Sequence, residues 1–287
     1  MTHMNKMLII GHGYTAGFLT PLLRAENWQV IGTTRANRAR VAAAGASPLL
    51  WPGEDDALGH AIDQADGLLV TVPPTANGDP VLAEMADRIA KSRIKWIGYL
   101  STTSVYGDRG GEWVDEDSSL TPSSARGEQR AAAEAEWQEF AAKHNVPLHI
   151  FRLAGIYGPG RGPFVKVREG SARRIIKPGQ VFSRIHAEDI AATLMASIKA
   201  PHAGAIYNLC DDNPAPPEDV IAYAANLIGA PVPPDEDFTT ADMTQMARSF
   251  YLENKRVRND RIKTELGINL RYPDYRTGLD AIAKEAS

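Results

Sequence analysis

Short apolar, β-branched runs recur along the first half of the chain, each separated from the next by a stretch with helical spacing. The runs at 7–10, 29–33, 47–51, 67–72, 96–100 and 148–153 predict strands. The segments near 13–25, 35–44, 80–91 and 124–143 predict helices, and the last, "AAAEAEWQEFAAKH", is rich in strong helix formers. Short, fully apolar strands interleaved with helices imply a parallel sheet covered on both faces. The expected class is therefore α/β with a doubly wound sheet. After residue 153 the rhythm changes: "GIYGPGRGPF" and "DDNPAPPED" are Gly- and Pro-rich breaks, and the pattern returns only at 182–198 and 205–209. The expected organisation is a main domain over 1–154, its sheet revisited by about 182–210, with 155–181 and 211–287 forming a smaller lobe.

Composition narrows the function classes. The 287 residues are 44% hydrophobic and 23% charged, enough to bury a sizeable core. A net charge of −4 argues against general nucleic-acid or anionic-membrane binding. No apolar run approaches the roughly 18 residues that span a bilayer, and no apolar leader is expected before the first strand. The single cysteine, Cys210, leaves no intramolecular disulfide and points to a reducing, cytoplasmic setting. The seven histidines are scattered without metal-ligand spacing, so no metal is expected.

The first strand runs into "LIIGHGYTAGF", which opens a helix. Gly11 would permit the tight turn, and Gly13 would let a pyrophosphate approach the backbone. The helix N–H groups, with Tyr14 and Thr15 in the first turn, would then receive its charge. Ala16 takes the third motif position, with Gly17 beside it. Strand before and helix after is the context that gives such glycines meaning. The second strand ends "VIGTTRANR", where an NAD site usually carries an acid for the ribose hydroxyls. Thr34, Arg35 and Arg38 stand there instead, and a guanidinium suits a 2′-phosphate that an acid would repel. NADP is thus expected over NAD. Val72, Pro73 and Pro74 end the fourth strand at the same edge and are expected to border the cofactor.

The fifth strand ends in the hydroxyl cluster "STTSVYG". With "GHGYTAG", "FRLAGIYGPGR", "RIHAEDIA", "NLCDDNP", "NKRVRNDRIKTELG" and "YPDYRTGL", it resembles the extended or atypical short-chain dehydrogenase/reductases of the NAD-dependent epimerase/dehydratase type. The resemblance runs nearly the full length, in family order, and implies a Rossmann fold with a smaller carboxyl-terminal substrate lobe. It also implies that Thr102, three residues before Val105, bonds the reacting carbonyl or alcohol.

The family then expects a tyrosine and, four residues on, a lysine on the next helix. Alignment on Pro122 and Gly127 puts Arg126 and Arg130 in those places. A tyrosine of unperturbed pKa about 10 can be tuned to exchange a proton, whereas arginine stays protonated. Arg126 could hold an anion or oxyanion and Arg130 could supply charge near the nicotinamide ribose; alternatively both are exposed helix arginines. Tyr157 is a further candidate for the proton, as is His186, whose type has a suitable unperturbed pKa of about 6.5. Arg161 and Arg184 are expected to contact substrate, and His186 either does so or starts the helix that follows it. The chain thus reads as an NADP-dependent oxidoreductase or epimerase-like enzyme for a small anionic or nucleotide-sugar-like substrate. The alternative is a non-catalytic NADP-binding sensor, which the missing tyrosine favours. A methyltransferase would share the glycine turn but leave Arg35 and "YGPGR" unexplained. A homodimer stays open.

Overall fold

The alternating runs fold into one parallel sheet in the computed structural model, which describes residues 4–285. The first half comprises β1 (Lys6–Ile10), α1 (Tyr14–Ala25), β2 (Gln29–Thr34), α2 (Arg38–Ala43), β3 (Ser47–Leu50), α3 (Asp55–Gln64), β4 (Gly67–Val70), α4 (Pro80–Ala90) and β5 (Trp96–Thr102). A 3-10 turn (Thr103–Tyr106) leads to β6 (Trp113–Val114), α5 (Ala125–His144) and β7 (Leu148–Leu153). Then come β8 (Gly155–Tyr157), α6 (Pro163–Arg168), β9 (Arg174–Ile176), β10 (Arg184–His186), α7 (Ala187–Lys199) and β11 (Ile206–Leu209). The chain finishes with α8 (Pro217–Leu227), β12 (Asp235–Asp237), α9 (Gln245–Tyr251), β13 (Arg256–Val257), α10 (Asp260–Thr264) and α11 (Tyr275–Glu285).

The sheet order is β11-β7-β5-β4-β1-β2-β3, the doubly wound Rossmann arrangement. Its apolar strands feed two cores. Met7 and Ile9 of β1 point to one, with Leu19 of α1 and Leu194 of α7; Leu8 and Ile10 point to the other, with Ile62 of α3, Met85 of α4 and Trp137 of α5. Each such buried side chain contributes about 1.5–3 kcal/mol relative to exposure. Strand order reverses between β1 and β4, which opens a crevice at the carboxyl edge.

A buried ion pair fixes α5 to this sheet. Arg152 of β7 lies 2.8 Å from Glu134 of α5, and also donates to the Tyr106 hydroxyl at 2.9 Å. A third apolar cluster, including Tyr157, Phe164, Val220, Tyr275 and Leu279, is built from segments outside the sheet. Three two-stranded ladders stand beside it: β8 with β10, β9 with β12, and β6 with β13.

Several boundaries differ from the sequence pattern. α3 falls where no helix is expected, because "DDALGHAIDQ" buries little more than Leu58, Ala61 and Ile62 and carries Gly59 at its centre. β5 continues through Ser101 and Thr102, which pair with Arg152 and Leu153. α2 starts at Arg38 because the Asn37 side chain caps it, accepting from the Arg40 N–H at 2.9 Å. No helix among the described residues is long and apolar enough to cross a membrane.

Candidate functional site

β1 gives way to the glycine loop at Gly11, where φ is +92°. A side chain there would stand 2.6 Å from Thr71 Oγ1 and 2.7 Å from Val72 Cγ1, so only glycine fits. The end of β2 holds the loop: Gly11 N–H donates to Thr33 Oγ1 and His12 N–H to the Thr33 carbonyl, both at 2.8 Å. Gly13 caps α1 in extended backbone, and a Cβ there would meet only the Gly11 carbonyl, at 3.6 Å. The helix has no side-chain cap and no acid in its first turn. Its amino end, with Gly13, Tyr14, Thr15 and Ala16, opens into a cavity of about 860 Å³. Uncapped N–H groups beside a small-residue approach suit a dinucleotide pyrophosphate, so the residues present fit that group.

The loop has supports that the glycine pattern does not reveal. The His12 ring lies where a Gly32 side chain would be, and its Nε2 pairs with Thr20 Oγ1 at 2.8 Å. Burial lowers its pKa, which favours the neutral ring. Arg40 donates to the His12 carbonyl at 2.8 Å. A β-strand glycine opposite a histidine was the available signal.

At the end of β2, Thr34 is buried and its hydroxyl accepts from the Asn37 N–H at 3.2 Å. Arg35 is exposed and has no hydrogen-bond partner among the described residues. Arg38 departs from expectation: its guanidinium pairs with the Glu54 carboxylate and bonds the Pro48 carbonyl at 3.2 Å, so its charge is already matched. After β4, Thr71 borders the cavity; Val72, Pro73 and Pro74 are not among its lining residues, and Val72, beside the Gly11 turn, packs partly against the core. The Gly11 turn draws Thr71 inward, its hydroxyl donating to the Gly11 carbonyl.

Ser101, Thr102, Thr103 and Ser104 all line the cavity. Thr102 Oγ1 accepts from the Ser104 N–H at 3.2 Å and lies 3.3 Å from Ser104 Oγ. Ser101 Oγ is buried without a partner among the described residues.

α5 abuts this turn because position 127 is glycine: a side chain there would come within 2.8 Å of the Ser104 carbonyl. Ser124 caps the helix by accepting from the Gly127 N–H at 3.3 Å. Arg126 is exposed, lines the cavity, and has no hydrogen-bond partner among the described residues. Arg130 is buried. It donates to the Leu100 carbonyl at 2.8 Å, the Tyr99 hydroxyl at 3.2 Å and the Val72 carbonyl at 3.4 Å, while still bordering the cavity. The two arginines are therefore unlike: one is free in the cleft and the other fastens strands.

Tyr157 lines the cavity, but its hydroxyl donates to the Asp274 carbonyl at 3.3 Å, and burial raises its pKa beyond the ordinary phenol range. That corrects its candidacy as the proton donor. His186 is also corrected. Its Nδ1 accepts from the Glu188 N–H at 3.2 Å as the cap of α7, its ring packs on Tyr272 at 4.0 Å, and burial lowers its pKa to about 4. It is a structural cap away from the cavity lining. Arg161 does line the cavity, with its guanidinium 5.3 Å from the Tyr14 ring centre. The Tyr14 hydroxyl donates to the Pro159 carbonyl at 2.9 Å, tying α1 to the "YGPGR" segment, and burial pushes its pKa up to about 12. Arg184 lines the cavity while donating to the Phe182 carbonyl at 2.8 Å and the Ala215 carbonyl at 3.0 Å. Lys166, Arg173 and Lys255 add further cations, against one acid in the lining among the described residues, Glu253. No cluster of metal-ligating side chains occurs among the described residues.

Comparison with known proteins agrees with this architecture. The chain is 30% identical to Protein YeeZ of Escherichia coli (strain K12), covering 94% of this chain and 97% of that protein. It is 26% identical to a 3-diazoavenalumate denitrifying reductase of Streptomyces sp over 51% of each chain. A solved conserved protein of unknown function from Silicibacter pomeroyi shares 57% identity at a TM-score of 0.93, covering 98% of this chain and 99% of that one. UDP-N-acetylglucosamine 4-epimerase from Bacillus cereus shares the fold at 14% identity, with a TM-score of 0.75 over 98% of this chain and 99% of that one. The model of the NAD-dependent epimerase/dehydratase family matches residues 78–210, and with the near-full-length likeness to YeeZ it identifies the chain as a member of that family.

Proposed function

We propose that the protein binds NADP and is an oxidoreductase for a small anionic substrate held beside Thr102. The observation that carries this reading is one continuous cavity bordered by the amino end of α1, the hydroxyl edge of β5 and a set of cations. The bound cofactor would supply a hydride donor or acceptor at its nicotinamide. Gly11, Gly13 and the first turn of α1 would hold the pyrophosphate. Arg35, free of protein partners among the described residues, would meet the 2′-phosphate in a charge-assisted bond of about 1.5–3 kcal/mol, roughly ten- to a hundredfold in affinity. Thr102 would orient the substrate oxygen. Arg126, Arg161 and Arg184 would hold the substrate's anionic group, and residues 155–181 and 211–287 would close over it as the substrate lobe. The Streptomyces relative, a reductase by name, supports redox chemistry.

A second reading, a cofactor-binding sensor without turnover, is favoured by Arg126 standing where the family carries tyrosine. One experiment separates the two. Purified protein is titrated with NADP and NAD by calorimetry, then assayed for NADPH consumption with a panel of anionic carbonyl compounds and nucleotide sugars. Tighter NADP binding with turnover is the expected result. Tighter NAD binding overturns the cofactor assignment, and NADP binding without turnover across the panel favours the sensor.

A further inference from the structure

Lys255 directly precedes β13 and is 9% exposed. Its Nζ donates to the Gly107 carbonyl at 2.8 Å and to Glu253 Oε2 at 2.6 Å. The other carboxylate oxygen, Glu253 Oε1, accepts from the Ser123 and Ser124 hydroxyls at 3.2 Å each. Gly107 ends the turn that begins after Thr102, and Ser124 caps the helix that carries Arg126. The amine is therefore lodged between the two elements that bear the candidate reacting residues, and both Lys255 and Glu253 line the cavity.

Hydride transfer to or from a carbon–oxygen bond needs one proton given or taken at the oxygen. Position 126 cannot serve, because arginine does not release its proton. The cavity's tyrosines are ill-suited: the Tyr14 and Tyr157 hydroxyls donate to backbone carbonyls, and burial raises the pKa of both, as it does for Tyr251 and Tyr275. Lys166 is exposed at the rim. Lys255 alone among the described lining residues combines an exchangeable proton, burial and a positioning carboxylate.

We propose that Lys255 is the proton-exchanging group of this cavity, in the part a tyrosine at position 126 would otherwise take, and that Glu253 is its positioning residue. The inference rests on the oxidoreductase reading above. In the direction of reduction, a bound nicotinamide would supply the hydride to the substrate carbonyl carbon, and the carbon–oxygen π pair would move to oxygen. The Lys255 ammonium passes one proton to that oxygen, which leaves an alcohol and a neutral amine that water reprotonates. Oxidation runs the same transfers backwards. The surroundings bias the amine towards release: burial lowers its pKa from the ordinary lysine value, Arg109 adds to that, and Glu253 and Asp108 oppose it.

The test begins with the full-length protein labelled with ¹³C at lysine Cε, the Lys255 resonance being assigned by its loss in Lys255→Arg. Its titration midpoint is expected below the ordinary lysine value of about 10.4. A midpoint at or above that value overturns the proposal. On any substrate the panel yields, Lys255→Arg and Lys255→Met are both expected to lose about 10²–10⁴-fold in kcat. NADP affinity by calorimetry should stay unchanged, and Glu253→Gln should shift the pH–rate profile. Lys255→Arg keeps the charge and a donor for the Gly107 carbonyl, so a purely structural lysine would leave it active; retained turnover overturns the proposal. Absence of turnover in the wild type counts against the oxidoreductase reading, and the titration still reads Lys255 on its own.

Discussion

Arg130 donates to the Leu100 carbonyl at 2.8 Å, so a helix side chain fastens the carboxyl end of the strand that carries Thr102. The same guanidinium reaches the Tyr99 hydroxyl and the Val72 carbonyl. In Arg130→Met these acceptors lose a buried donor, at an expected cost of about 1–3 kcal/mol. Urea unfolding of wild type and variant measures it. Arg130→Lys should recover only part, because one ammonium on a different stem cannot reproduce the fork geometry. Full stability in Arg130→Met would show that the clamp contributes nothing.

If the proposed NADP reading holds, Arg35 sets the choice between dinucleotides. Arg35→Ala is expected to weaken NADP by about ten- to a hundredfold and to leave NAD nearly unchanged, since NAD has no 2′-phosphate to lose. Calorimetric titration of both cofactors reads the ratio. An unchanged ratio removes Arg35 from the site. Arg38→Ala serves as the contrast: its charge is matched by Glu54, so the cofactor ratio should hold.

The sheet was legible because its strands are short, apolar and regularly spaced, and because Gly11 is demanded by backbone geometry that sequence can signal. What escaped was set by tertiary contact. Nothing local distinguishes Arg35, free in solvent, from Arg38, whose partner Glu54 lies sixteen residues away in sequence. Tyr157 looks like a candidate phenol in the chain, and Tyr14 like a residue of the pyrophosphate turn. Only the fold shows their hydroxyls on the Asp274 and Pro159 carbonyls. For His186 the sequence offers substrate contact or a helix start, and the Glu188 N–H on its Nδ1 makes it the cap of that helix. Lys255 reaches Gly107 across 148 residues of chain, a separation no spacing rule addresses.

Arg126 should act on the substrate rather than on the cofactor. It lines the cavity together with the hydroxyl edge of β5 and the amino end of α1, whereas Arg35 is not among the lining residues. With any anionic substrate found, Arg126→Ala is expected to lose about 2.7–4 kcal/mol of transition-state stabilisation if it holds the developing oxyanion. The NADP dissociation constant should stay the same. Steady-state kinetics and calorimetry on one preparation separate the two effects, and full kcat/KM in the variant removes Arg126 from the mechanism.

His149 should make stability depend on acid pH. Its ring is fully buried in β7, stacked on Trp96 at 5.7 Å, with Nδ1 3.3 Å from the Ile97 carbonyl and Nε2 unpartnered among the described residues. Burial lowers its pKa to about 4, against about 6.5 for an unfolded histidine. Between those values the unfolded chain holds more protons than the native one, so stability rises with pH across the window. The contribution is complete above about pH 6.5 and is lost as pH falls towards 4. His186 works in the same sense, while Asp211, whose pKa burial raises to about 8, works in the opposite one. Only a difference between proteins isolates His149. In His149→Asn the amide can still donate to the Ile97 carbonyl but does not titrate. Urea unfolding at about pH 7 and about pH 4.5 should therefore show a stability loss on acidification about 2 kcal/mol smaller in the variant than in the wild type. Equal losses would mean that His149 is already protonated in the native state at the lower pH, and that its site is wetter than its packing indicates.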